Sequence, residues 1–176
     1  MNIILLGPHG AGKTTQARLI SDFLHIPRIS TGEIFHTLYN QDSLLGRHFH
    51  SIMDKGDYVP DSEVIPMVEE RLAQGDARAG FILEGYPRTL QQAQSLVEKI
   101  DVVFHLRLSD NESVRRQLAR HRHDDTPELI RHRLDQHYAE ADQVLAFYKN
   151  RNLLQEVDAH RSIAEIDSEL LARIEA

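Results

Sequence analysis

The chain has 176 residues, enough for one domain with its own core, and its 41 % hydrophobic and 27 % charged residues exclude a disordered protein. It contains no cysteine, which excludes a disulfide scaffold, a thiolate zinc site and cysteine nucleophile chemistry. The net charge of −7 argues against a general nucleic-acid or membrane binder. No apolar run approaches the ~20 residues of a membrane helix, so we expect a cytoplasmic protein.

Short apolar runs alternate with helical patterns along the chain. Strands are predicted at residues 3–6, 27–30, 81–84, 102–108 and 153–157. Helices are predicted at residues 13–25, 42–54, 89–99 and 127–150, and others begin near residues 61, 109 and 163. This alternation predicts an α/β protein with a parallel five-stranded sheet flanked by helices.

Residues 31–73 contain several helical patterns and no strand. This stretch is too long for a single crossover between two strands, so we interpret part of it as a small helical insertion on the sheet domain. Asp61 or Ser62 is expected to cap the last helix of the stretch, because both residue types favour that position.

A glycine-rich segment follows the first predicted strand and leads into a helix. Gly7-Pro8-His9-Gly10-Ala11-Gly12-Lys13-Thr14 matches the pattern G-x-x-x-x-G-K-[ST]. In this context backbone N–H groups and the helix N-terminus surround phosphates, Lys13 reaches them, and the Thr14 hydroxyl can bind Mg²⁺. The segment predicts a nucleoside triphosphate site, and the alternative is a glycine-rich turn with a surface lysine. A GTPase would need a base-reading segment such as N-K-x-D, which the sequence lacks.

Positive charge is concentrated in one stretch of this acidic chain. Residues 115–123 read RRQLARHRH, with four arginines and two histidines. Such a cluster predicts a local anion site, and the alternative is a solvated helix face. Of the eleven histidines in the chain, only His36, His121 and His123 have positions that argue for a site, and we expect the others at the surface or on helix faces.

Three further motifs, in the same order along the chain, resemble those of nucleoside monophosphate kinases, most nearly adenylate kinases. They are Ser30-Thr31-Gly32-Glu33, Gly56-Asp57-Tyr58-Val59-Pro60 and Gly85-Tyr86-Pro87-Arg88. The resemblance covers nearly the whole chain. It implies a single P-loop kinase domain over residues 1–176, of the P-loop NTPase type, with a monophosphate-binding insertion at 30–59 and transfer of a phosphoryl group from MgATP to AMP.

The resemblance also implies roles for individual residues. The ATP-binding residues would be Gly10, Ala11, Gly12, Lys13, Thr14, Thr15, Arg116 and Arg120. The AMP-binding residues would be Thr31, His36, Asp57, Tyr58, Val59, Gly85, Tyr86, Pro87, Arg88, Gln92, Arg122 and Arg133. The charge on the transferring group would be neutralised by Lys13, Arg88, Arg122 and Arg133. Mg²⁺ would meet Thr14, with Glu84 in its outer shell through water.

Several of these assignments have a plain structural alternative. Thr31 could instead be a helix cap, Gln92 a solvated side chain and Arg88 a partner in a structural salt bridge. His36 could face solvent.

The chain departs from the family pattern at four places. Thr14 stands where glycine is usual, Glu84 where aspartate is usual, and His36 where an arginine is usual. Only residues 120–125 remain where the family has a mobile lid, which leaves no room for a structural zinc site. The partners implied are ATP and AMP, and the resemblance implies a monomer.

Two alternatives therefore stay open beside an adenylate kinase. One is a phosphate-loop kinase with another acceptor, against which Gln92 and the segment at 85–88 argue. The other is a nucleotide-binding module with weak or no turnover, which the missing lid and His36 keep open.

Overall fold

A computed structural model describes residues 1–96, 99–120 and 125–176 of the chain. Five parallel strands form its sheet, in the order β2-β3-β1-β4-β5. The strands are β1 (Asn2–Leu6), β2 (Arg28–Ser30), β3 (Phe81–Glu84), β4 (Val102–Arg107) and β5 (Leu154–Asp158). The predicted fold class, an α/β protein with a parallel five-stranded sheet, is confirmed.

Eight α-helices lie in the described part of the chain, and a short 3-10 helix spans Gly75–Ala79. The helices are α1 (Lys13–Leu24), α2 (Thr31–Tyr39), α3 (Leu44–Met53), α4 (Asp61–Leu72), α5 (Leu90–Leu96), α6 (Asp110–Leu118), α7 (Pro127–Lys149) and α8 (Ile163–Ile174). None of these described helices combines the length and apolar character needed to cross a bilayer.

The sheet is buried on both faces because its strands alternate their side chains between two apolar layers. In the central strand β1, Ile4 and Leu6 belong to the layer that also contains residues of α4, α5 and α7. Ile3 and Leu5 belong to the opposite layer, which contains residues of α1 and α8. Because both faces of the sheet are covered, a ligand can reach the sheet only at the ends of its strands.

Helix starts follow the local signals in the sequence. Ser43 accepts a hydrogen bond from the Gly46 N–H at the start of α3, and Thr126 caps α7, with Pro127 at its first position. Ser162 and Glu165 form the capping box of α8. Predicted boundaries agree within about two residues, and the predicted end of α5 crosses residues 97 and 98, outside the described residues.

One predicted cap is wrong. Asp61 is already the first residue of α4, and its carboxylate accepts hydrogen bonds from Thr89 and Gln92 instead of from its own helix. Within the insertion predicted at 30–59, α2 and α3 are helical and no described residue of 31–73 is in a strand.

Candidate functional site

A cleft of about 950 Å³ opens where the parallel strands end. The residues after β1 form the glycine-rich loop, Ser30 ends β2 and Glu84 ends β3, and all three segments line this cleft. Predicted site residues that line it are Gly10, Ala11, Gly12, Lys13, Thr14, Thr15, His36, Asp57, Tyr58, Val59, Glu84, Gly85, Tyr86, Arg88, Gln92, Arg116, Arg120 and Arg133. Pro87 and Thr31 do not line it, and Arg122 lies outside the described residues.

The glycine-rich loop has a backbone that side chains would disturb. Gly10 and Gly12 have φ angles of 82° and 88°, in the left-handed region that favours glycine. A Cβ on Gly10 would lie 3.1 Å from the Ser113 carbonyl oxygen. Gly12 precedes α1 without a side-chain cap, so the first N–H groups of that helix face the cleft as donors for an anion.

Lys13 is folded against the loop instead of extending into solvent. Its Nζ donates to the carbonyl oxygens of Gly7 and Pro8, at 2.7 and 2.8 Å. Burial, followed by the charge of Arg88, lowers the pKa of Lys13 to about 7, and the charge of Glu84 opposes this shift. The ammonium group therefore lies where an added anion would stabilise its charged form.

Two oxygen groups suited to a hard cation lie beside this lysine. The Thr14 hydroxyl donates to Oε2 of Glu84 at 2.8 Å, and the hydroxyl oxygen keeps lone pairs for a further ligand. Both residues line the cleft. Hydroxyl and carboxylate oxygens are the ligands that Mg²⁺ prefers, so the pair fits a Mg²⁺ that arrives with phosphates.

The turn after β3 places a second cation in the cleft. Gly85 has a φ of 77°, and a Cβ there would lie 2.7 Å from Oγ1 of Thr31. Arg88 Nε donates to the Gly85 carbonyl oxygen at 2.8 Å, and its guanidinium lies 4.6 Å from the centre of the Tyr58 ring. In the described part of the chain Arg88 pairs with no carboxylate, so its charge is available to an anionic ligand.

Gln92 is buried and held by two partners. The Arg88 backbone N–H donates to its Oε1 at 2.7 Å, and its Nε2 donates to Asp61 at 2.6 Å. Gln92 is therefore not a solvated side chain, and its Nε2 keeps a second N–H beside the one that it donates to Asp61. The buried Oγ1 of Thr31 has no hydrogen-bond partner among the described residues, and Ser30 rather than Thr31 holds the cap position of α2.

The arginines of the basic cluster divide between the cleft and the solvent. Arg116 donates to Glu112 and lies 3.4 Å from the Gly10 carbonyl oxygen, whereas Arg115 is 69 % exposed. Arg120 and Arg133 converge on one oxygen of Asp125, at 3.1 and 3.5 Å. The Asp125 side chain is almost fully buried. Its negative charge reduces the repulsion between the two guanidinium groups, which face the cleft.

Three histidines expected at the surface lie instead around this site. His9, His105 and His137 line a cavity of about 50 Å³ that also contacts Lys13 and Arg88. Burial lowers the pKa of His105, and burial followed by the charge of Lys13 lowers that of His137 to about 4. The predicted strand was the sequence signal for the position of His105. β4 pairs His105 with Leu6, at the start of the glycine-rich loop.

Two further contacts were not anticipated. Arg161, Ser162 and Ile163 form part of the cleft wall. Asp57 Oδ1 accepts from Nε2 of His132 at 2.8 Å and from Nε2 of Gln136 at 3.1 Å, which joins the end of the predicted insertion to α7.

Comparison with known proteins gives one family. The adenylate kinase family model matches residues 5–153. Adenylate kinases from Thermobifida fusca and Renibacterium salmoninarum are 40 % and 42 % identical to the chain, over 100 % and 98 % of it and 99 % and 95 % of their own lengths. An adenylate kinase from Mycobacteroides abscessus is 43 % identical over 94 % of both proteins. The chain therefore belongs to the adenylate kinase family.

Proposed function

We propose that the protein transfers the γ-phosphoryl group of MgATP to AMP and so forms two molecules of ADP. The observation that carries this proposal is one cleft with the glycine-rich loop and Lys13 on one wall and Arg88 on another. Arg120, two residues after the end of α6, and Arg133, on α7, line the same cleft. The names of the relatives at about 40 % identity support the same reaction.

The reaction needs positioning and charge neutralisation more than acid–base chemistry. The AMP phosphate oxygens are already nucleophilic, so no general base is required. In this proposal the loop N–H groups and Lys13 hold the ATP phosphates, and Arg88 holds the acceptor phosphate. Arg133 and Arg122 neutralise the charge on the group in transit, and Arg116 and Arg120 bind ATP.

Mg²⁺ would be held by Thr14, and through water by Glu84, as their hydrogen-bonded oxygens suggest. When bound, it supplies positive charge to the phosphate oxygens of ATP. The proposal also assigns residues 30–59 to acceptor binding and residues 120–125 to a shortened lid. It includes a monomeric, cytoplasmic enzyme, which gel filtration and cell fractionation test.

The assay that tests the proposal measures ADP formation from MgATP with a panel of nucleoside monophosphates. Brisk formation with AMP, and weaker formation with the other monophosphates, is expected. If another monophosphate reacts faster than AMP, that monophosphate is the acceptor and AMP is not. Nucleotide binding without turnover for any acceptor would favour the nucleotide-binding module.

Donor binding should take up a proton because of the environment of Lys13. With the pKa of Lys13 near 7 in the free protein, the amine is about 90 % neutral at about pH 8. Phosphates beside it favour the ammonium form, so about one proton should be taken up for each ATP bound. Calorimetry at about pH 8, in two buffers of different ionisation enthalpy, measures this number. Lys13→Met should abolish the uptake; an equal uptake in that variant would assign the proton to another group.

His36 is exposed on α2 and lines the cleft, where a permanent charge would serve the acceptor phosphate better. A guanidinium is charged at every accessible pH and offers two parallel hydrogen bonds, whereas an imidazole is charged only in acid. We expect His36→Arg to bind AMP about fivefold more tightly than the wild type at about pH 8. Equal AMP affinities of the two proteins would mean that His36 does not face the phosphate.

A further inference from the structure

A chain of polar contacts links the glycine-rich loop to the first turn of α2. Thr14 donates to Oε2 of Glu84 at 2.8 Å, and Arg28 Nη1 donates to Oε1 of the same carboxylate at 2.7 Å. The other guanidinium nitrogen of Arg28 donates to Glu33. Arg28 has no role in the family resemblance described above, yet it contacts the carboxylate proposed to face the metal.

Both ends of the Arg28–Glu84 pair are shielded from water. The side chains are 15 % and 4 % exposed. A carboxylate at this depth is costly without a cation, and a guanidinium with several donors compensates it well. Both oxygens of Glu84 are thereby engaged, one by the ion pair and one by the Thr14 hydroxyl. The carboxylate is held in one orientation, and its charge is largely offset within the protein by Arg28, although Arg28 also pairs with the more exposed Glu33.

We infer that Arg28 is a positioning residue for the reaction, which holds Glu84 against Thr14 and balances its charge. This inference rests on the proposed function. Because the Glu84 charge is balanced, the protein alone attracts a divalent cation weakly, and the cation is retained chiefly through the phosphates of the nucleotide. Arg28 thus sets how strongly nucleotide binding depends on Mg²⁺.

Removal of Arg28 has opposite effects on the two ligands of the site. Glu84 then loses its ion-pair partner, so more of its negative charge acts on the site, where it repels the phosphates of a metal-free nucleotide and attracts Mg²⁺. The ratio of the Kd without Mg²⁺ to the Kd with Mg²⁺ should therefore rise. A purely structural role of Arg28 would weaken both forms of binding alike and would leave this ratio unchanged.

The experiment measures that ratio by calorimetry with β,γ-imido-ATP, in EDTA and in excess Mg²⁺. Arg28→Met should raise the ratio about fivefold, the lower end of typical couplings between two ligands. Arg28→Lys keeps the charge and should stay near the wild type, whereas Glu84→Gln should lower the ratio. Arg78→Met removes an equal charge from the exposed residue Arg78 in the 3-10 helix at Gly75–Ala79 and should leave the ratio unchanged.

A double variant keeps the test decisive if Arg28→Met fails to fold with Glu84 unpaired. Arg28→Met combined with Glu84→Gln leaves no unpaired carboxylate, and its ratio should equal that of Glu84→Gln alone, because Arg28 acts through this carboxylate. A different ratio in the double variant, or an unchanged ratio in folded Arg28→Met, would overturn the inference. If the wild type fails to bind the analogue or to convert ATP and AMP, the proposed function itself fails.

Discussion

Lys13→Met is expected to lower kcat for ADP formation by about a hundredfold or more, the effect of losing one preorganised charge at a transition state. Lys13 lies on the wall of the cleft that carries the glycine-rich loop, and its Nζ contacts only loop carbonyl oxygens in the hydrogen bonds described. Its positive charge acts on phosphate oxygens as they develop charge during transfer. A coupled assay of ADP formation at saturating ATP and AMP measures the loss.

The same substitution should leave the fold intact. Burial already disfavours the charge of Lys13, as its lowered pKa shows, so removing that charge costs the folded state little. Circular dichroism melts should therefore give a Tm close to that of the wild type. Lys149→Met, an exposed lysine at the end of α7, is the matched control and should keep full turnover. A folded Lys13→Met enzyme with near-normal kcat would contradict the assignment of the glycine-rich loop.

The sheet and its order of elements could be read from local patterns because each pattern has a local cause. Runs rich in apolar residues predicted β1, β3 and β4, and β2 and β5 were predicted from shorter, more polar stretches. Ser43, Thr126 and Ser162 each satisfy N–H groups of the helix that follows them, so their helices begin where the sequence places them. The glycine-rich loop could also be predicted from the sequence, since its backbone requires glycine at fixed positions.

Contacts between residues that are far apart in the sequence could not be predicted in this way. Asp61 is a good helix cap by type, but Thr89 and Gln92 lie 28 and 31 residues away and use its carboxylate instead. Arg28 and Glu84 are 56 residues apart and meet only because β2 and β3 are neighbours. Strand order could have suggested that pair, but the sequence alone left open which strand lies beside which.

The place of three histidines at the site, and their protonation, could not be predicted from the sequence either. His9, His105 and His137 belong to the glycine-rich loop, β4 and α7, and only His105, inside a predicted strand, had a sequence signal for its place at the site. Their lowered pKa values arise from burial and from the nearby cations, both of which are properties of the assembled cleft. The sequence therefore predicted surface positions for three histidines that the fold brings together at the site.

Arg133→Ala is the second substitution with a large expected effect, a loss of about a hundredfold or more in kcat. Arg133 enters the cleft from α7, with a side chain only 13 % exposed, and meets Arg120 at Asp125. The two guanidinium groups lie together on the cleft wall, and two cations placed together suit a phosphoryl group in transit. Arg131→Ala, two residues away on the same helix and exposed, is the matched control and should change kcat little.

The combination of Arg133→Ala with Arg122→Ala separates a shared role from two independent ones. Both arginines are proposed to neutralise one transferring group, so the double variant should lose less than the product of the two single losses. The effects on kcat and on KM distinguish the two possible roles of an arginine. Removing a charge that acts on the group in transit lowers kcat with little effect on the KM for AMP, whereas removing a charge that only anchors AMP raises that KM. Retained kcat in Arg133→Ala, with KM for AMP raised instead, would assign Arg133 to the acceptor phosphate and leave the transferring group to Lys13 and Arg88.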